Sequence, residues 1–136
     1  MSRENADLVR QINDLWAPAF DEQPEERLLE LFSPEVHIDV SRRVFNPATY
    51  DGYDGLRRFR EETREARDEF SVSTERVVDK GDLVVEVVTV RGRGRRSGVE
   101  IKTTAARVWT IRGGRVVRFV GYGDVNEALK AVGIEA

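Results

Sequence analysis

Two charges stand inside otherwise apolar runs: Glu86 within Leu83-Val84-Val85-Glu86-Val87-Val88, and Arg107 within Ala105-Ala106-Arg107-Val108-Trp109. A carboxylate and a guanidinium on one inner face can do chemistry. A desolvated glutamate has a raised pKa and moves protons, and an arginine beside it stabilises developing negative charge. The same two residues also suit a buried ion pair that fixes strand register and binds nothing. The sequence leaves both readings open. His37 is the only histidine. It alternates with Val36 and Ile38 and shares the parity of Asp39, so both point away from an apolar interior. Trp16 and Trp109 each offer a flat face and one donor to a ligand, or simply fill the core. Tyr50 and Tyr53 lie in a turn-rich stretch and either touch a ligand or pack a loop. Arg91, Arg93, Arg95 and Arg96 alternate with glycines and no aromatic residues, which reads as a solvated hairpin tip rather than a nucleic-acid site.

Composition removes whole classes of function. The chain has 136 residues, enough for one domain over residues 1–136. It has 22 basic and 25 acidic residues, a net charge of −3, which argues against a nucleic-acid partner. With no cysteine and one histidine, thiolate chemistry, disulfides and multi-histidine metal sites are excluded, so neither metal nor cofactor is expected. No apolar run approaches the roughly 20 residues of a membrane span, and Met1–Asn5 lacks a signal peptide's character. A cytoplasmic protein is expected.

The elements that must position these residues follow from periodicity. Leu8, Ile12, Leu15, Trp16 and Ala19 form one helical stripe interrupted at Pro18. Pro24 suits the first turn of a short helix carrying Leu28, Leu29 and Phe32, which Pro34 ends. Val36 to Val40 reads as a strand, and a loop through Asn46-Pro47 and Asp51-Gly52 follows. Asp54 is placed to cap a helix striped by Leu56, Phe59, Thr63 and Ala66. Four strands are then expected over roughly 70–79, 82–93, 98–112 and 115–123. A helix capped by Asp124 and closed by Gly133 comes last.

The last hairpin admits two registers. A two-residue loop pairs Arg112 with Arg115, whereas a bulge at Gly114 pairs Ile111 with Arg115 and Trp109 with Val117. The bulged form keeps one face mostly apolar and is preferred. Its inward set is Thr103, Ala105, Arg107, Trp109, Ile111, Val117, Phe119 and Gly121, facing Val84, Glu86, Val88 and Val90. Glu86 and Arg107 then lie one diagonal apart. The outward set includes Val85, Val87, Ala106, Val108, Val116 and Val120, apolar enough to suggest a homodimer through the convex face.

This order of elements resembles the nuclear transport factor 2-like superfamily and, within it, the SnoaL-like group. The resemblance rests on three segments. Leu28-Leu29-Glu30-Leu31-Phe32-Ser33-Pro34-Glu35-Val36 precedes the first strand. Tyr50-Asp51-Gly52-Tyr53-Asp54-Gly55-Leu56-Arg57-Arg58-Phe59 opens the third helix. Val108-Trp109-Thr110-Ile111-Arg112-Gly113-Gly114-Arg115-Val116-Val117 spans the last hairpin. The resemblance implies an α+β cone-shaped half-barrel, with N-terminal helices packed on a strongly curved antiparallel sheet around an apolar cavity.

What the superfamily implies for chemistry can be carried over position by position. The tyrosine of ketosteroid isomerases falls on Trp16 and their general base on Val40. The base of the SnoaL cyclases falls on Gly121. The Asp-Arg-Asp set of the epoxide hydrolases falls on Glu86, Val84 and Gly121. Each of those reactions lacks its base here. The expectation is a cone that binds a small, mostly apolar molecule, lined by Trp16, Val40, Tyr50, Trp109 and Phe119. Cofactor-independent acid–base chemistry of the isomerase, cyclase or dehydratase type would fall to Glu86 and Arg107. A non-catalytic binding module is the alternative.

Overall fold

The computed structural model describes residues 2–16, 25–42, 47–66, 70–93 and 98–133. In chain order the elements are α1 (Ser2–Trp16), α2 (Glu25–Glu30), β1 (Phe32–Asp39), β2 (Thr49–Asp51), α3 (Gly52–Ala66), β3 (Phe70–Lys80), β4 (Leu83–Arg93), β5 (Glu100–Arg112), β6 (Arg115–Tyr122) and α4 (Val125–Ala131). The strands form one curved, unclosed sheet in the order β2-β1-β6-β5-β4-β3. Four of the five pairings are antiparallel. The fifth, β1 with β6, is parallel, so the curved sheet is antiparallel as expected apart from this one pairing. A parallel pair needs a long crossover, and here everything from β2 to β5 lies between the partners. The short strand β2 falls where a loop was expected, and β1 begins at Phe32, so Pro34 lies within it. The helix α3 opens at Gly52, which puts Asp54 in its first turn rather than at its cap.

Alternation divides the long strands between two cores. Val84, Trp109, Ile111, Val116 and Phe119 face Val9 and Ile12 of α1, Leu28 of α2 and Leu56 of α3. On the opposite face Val85, Ala106 and Val108 pack against Ala128 and Leu129 of α4. The chain's own last helix therefore covers part of the apolar convex face. Asp124 caps α4 by accepting from the Asn126 and Glu127 backbone N–H groups, as the sequence predicts. Lys80 Nζ donates to the Val132 and Gly133 carbonyls at its other end.

The last hairpin differs from the preferred register. Arg112 pairs with Arg115 across a two-residue turn, and Gly113 and Gly114 both have positive φ, 59° and 75°. Two such glycines fit the turn whose twist matches the flanking strands. The extra residue enters further along, where Thr110 pairs with Arg118 and Ile111 with Val116. That bulge turns Val116 inward, correcting its outward assignment, and sets Trp109 directly opposite Phe119. Among the described residues, no helix is long and apolar enough to cross a membrane.

Candidate functional site

Strands β4 and β5 keep one unbroken register from Leu83↔Thr110 to Arg93↔Glu100, so Glu86 stands directly across from Arg107 rather than on a diagonal. Arg107 in turn pairs with Gly121 on β6. One row across three strands thus reads Glu86, Arg107, Gly121. Helix α1 passes over this row and adds Asn13, one helical turn beyond Val9 on the buried face. From the other side, a bulge between Thr74 and Arg76 in β3 leaves Thr74 paired with Val88 and its hydroxyl within reach of Glu86.

The result is a carboxylate with every direction occupied. Oε1 accepts from Arg107 Nε at 2.9 Å and from Trp109 Nε1 at 3.1 Å. Oε2 accepts from Asn13 Nδ2 at 2.8 Å and Thr74 Oγ1 at 2.5 Å. Arg107 Nη2 also reaches Asn13 Oδ1 at 3.4 Å. Glu86 is 0% exposed. Burial by itself raises its pKa and is the largest single influence. The Arg107 charge, with hydrogen bonds from Arg107, Thr74 and Trp109, outweighs it and holds the carboxyl below the ordinary glutamate range. Glu86 is therefore ionised at neutral pH and has no spare lone pair aimed at a substrate. A general base needs both a matched pKa and a free approach. Glu86 has neither.

Arg107 is placed differently. Its side chain is 26% exposed, and among the described residues none accepts from Nη1. Its guanidinium lies 5.9 Å from the Trp109 ring. From Trp109 a file of aromatic rings runs under α3. Trp109 meets Phe119 edge-on at 4.7 Å, Phe119 lies 6.0 Å from Phe59, and Phe59 lies 5.2 Å from Tyr50. Tyr50 is buried and its hydroxyl donates to Glu62, so it packs as core. Tyr53 donates to the Phe32 carbonyl at 3.0 Å.

The remaining candidates divide between the faces. Val40 is buried in the inner core beside Gly121, where an added Cβ would lie 3.5 Å from Val40 Cγ1. Trp16 closes α1, and its side chain lies outside the described residues. His37 is half-exposed and its Nδ1 sits 2.6 Å from Asp51 Oδ1, away from the inner site as its parity predicts. Of the basic tip, 94–97 lies outside the described residues. Among the described residues no group of three or more His, Asp or Glu side chains could hold a metal ion. A surface recess of about 450 Å³ lies between α1 and the turns at Asp82 and Gly113-Gly114, apart from the Glu86 site.

The SnoaL-like domain model matches residues 12–119, spanning α1 to β6. The chain belongs to the SnoaL-like family. Its fold is shared by solved structures of low sequence identity. An NTF2-like protein from Burkholderia xenovorans LB400 superposes with a TM-score of 0.73 at 17% identity, covering 96% of this chain and 97% of its own. A putative SnoaL-like polyketide cyclase from Jannaschia sp. CCS1 gives 0.70 at 17% identity, covering 99% and 95%. TerC, co-crystallised with polyporic acid, gives 0.67 at 17% identity, covering 96% and 98%. No curated protein is similar in sequence. Within the SnoaL-like frame the row Glu86, Arg107, Gly121 holds one carboxylate and one guanidinium, and Val40 and Gly121 bring no second acid.

Asn13 and Thr74 were not legible as site residues. The signal for Asn13 is an amide four residues after buried Val9 on an apolar stripe. Thr74 turns inward only because of the β3 bulge, which no turn residue marks.

Proposed function

We propose that this SnoaL-like chain binds a small, mostly apolar molecule on the inner face of its sheet, and that Arg107 supplies the polar contact that orients it. The observation that carries this reading is the closed donor set on Glu86. Four side chains satisfy its two oxygens, so Glu86 fixes Arg107 in place and leaves Nη1 to a ligand's acceptor oxygen. The Trp109 and Phe119 rings offer the apolar wall beside that donor. TerC's co-crystallisation with polyporic acid supports small-molecule binding on this fold. In this reading Glu86 is a positioning residue and the chain is a binding module.

The test is titration of the full chain with 1-anilinonaphthalene-8-sulfonate. Paired replacement, Glu86→Gln with Arg107→Met, avoids leaving either charge buried alone. One saturable site per chain, weakened at least tenfold in the paired variant, is the expected result. Absence of a saturable site, or undiminished binding in a folded paired variant, would overturn the reading.

A further inference from the structure

Basic charge and exposed aliphatic surface meet at one place, the end of the sheet where β4 finishes and β5 begins. The sequence from Arg91 to Lys102 holds five basic residues, Arg91, Arg93, Arg95, Arg96 and Lys102, against one acidic residue, Glu100. The chain as a whole has 22 basic and 25 acidic residues, so this segment reverses the sign of its net charge. A local reversal of that kind draws anionic partners to one end of the molecule. The exposed large apolar residues among those described lie at the same end. They are Val72 on β3 at 49%, Val99 just before β5 at 59%, and Ile101 on β5 at 53%. Single exposed aliphatic residues are ordinary, but three at one end of a sheet form a patch.

Register sorts the two kinds of side chain. Val72 pairs with Val90 and Ile101 with Gly92, so both lie on one face, and Gly92 puts no side chain between Ile101 and β3. On the other face Arg91 stands directly opposite Lys102, with Ser71 on its far side. Like charges in direct cross-strand register cost stability in water, and an anionic partner removes that cost. The ladder between β4 and β5 runs unbroken to Arg93↔Glu100. The backbone groups these strands turn to each other are therefore already paired, and this end enters a poorly hydrated layer at little cost.

We propose that this end of β3, β4 and β5 docks on an anionic lipid bilayer. Val72, Val99 and Ile101 enter the boundary between headgroups and acyl chains, while Arg91 and Lys102 meet the lipid phosphates. The combination selects the partner. A nucleic acid would use the cations and aromatic stacking, but residues 91–102 hold no aromatic side chain and the aliphatic ones would have no role. A second copy of the chain needs roughly 800 Å² per partner, far more than three aliphatic side chains offer. An anionic bilayer uses both features at once. The docking is peripheral and requires no membrane-spanning helix.

The experiment is co-sedimentation of the full chain with vesicles of phosphatidylcholine, alone or with one-third phosphatidylserine. Binding to the anionic vesicles should be at least tenfold tighter, and should fall at least tenfold as NaCl rises from about 0.05 to about 0.5 M. Arg91→Ser with Lys102→Ser should weaken it at least tenfold, at about fivefold per cation. Val72→Ser with Ile101→Ser leaves the charge unchanged and should weaken it at least fivefold. The chain has no cysteine, so Val99→Cys carries a single acrylodan label. Its emission should shift to the blue on anionic vesicles, and the same label at Asn126→Cys on α4 should not shift. The wild-type and label measurements stand even where a paired variant fails to fold. No binding to anionic vesicles, equal binding to both compositions, or full binding by a folded Val72–Ile101 variant would overturn the proposal. So would oligouridylate that displaces the chain from vesicles and binds that variant undiminished, which assigns the patch to a nucleic acid. A dimeric wild type that the Val72–Ile101 variant converts to monomer would overturn it in favour of a second copy.

Discussion

Arg107 Nε lies 2.9 Å from Glu86 Oε1, and the two residues are direct cross-strand partners on β4 and β5. The glutamate is sealed while the arginine keeps a quarter of its side chain in solvent. That asymmetry assigns their roles: the carboxylate anchors and the guanidinium presents.

Glu86→Gln should destabilise the fold by about 3 kcal/mol, the low end of the range for breaking a buried pair, because Arg107 retains partial hydration. Urea unfolding at pH 7 checks this. A change below about 0.5 kcal/mol, the usual scale of surface substitutions, would mean that the carboxylate is not sealed.

The pH dependence has a definite sign. A folded pKa below the unfolded value of about 4.3 makes Glu86's contribution complete above that value, and lost as pH falls through the folded pKa. Asp39, held low chiefly by the Ser41 hydroxyl, acts in the same direction. Comparison with Glu86→Gln isolates the Glu86 part. The stability difference between wild type and variant should be flat from pH 6 to 8 and should narrow below pH 4. A difference that widens as pH falls from 6 to 5 would reverse the sign.

Two glycines should respond oppositely to alanine. A Cβ at Gly55 would lie 2.9 Å from the Tyr50 carbonyl carbon, so Gly55→Ala should cost about 1–3 kcal/mol despite its better helix propensity. At Gly121 the nearest atom is Val40 Cγ1 at 3.5 Å, and Gly121→Ala should stabilise the strand by about 0.5–1 kcal/mol. Thermal melts of both variants decide the pair.

Leu129→Ala should cost about 2–3 kcal/mol, because Leu129 seals the core formed with Val85, Ala106 and Val108. Val108→Glu should likewise unfold the chain, since Val108 is buried within a single chain under α4. Equilibrium unfolding that leaves either variant as stable as wild type would show that α4 does not dock there.

Strand alternation and turn residues made the long strands, α4 and its cap, and the shared inner face of Glu86 and Arg107 legible in the sequence. The register of the last hairpin was not. Gly113 and Gly114 permit both turn geometries, and the bulge that decides between them falls at Val116–Arg118, where no glycine marks it. The docking of α4 on Val108 was hidden for a different reason. An outward apolar strand face reads the same whether its own helix or a second copy covers it. Asn13 and Thr74 join the site through tertiary contact alone, and they are what turns a pair of charges into a closed carboxylate.

The most direct measurement is a carbon-13 NMR titration of the Glu86 side-chain carboxyl in the full-length protein. A midpoint below the ordinary glutamate value of about 4.3, with no further titration between pH 5 and 8, is the predicted result. A midpoint above that value would contradict it, and would restore Glu86 as a group able to take up a proton from a ligand.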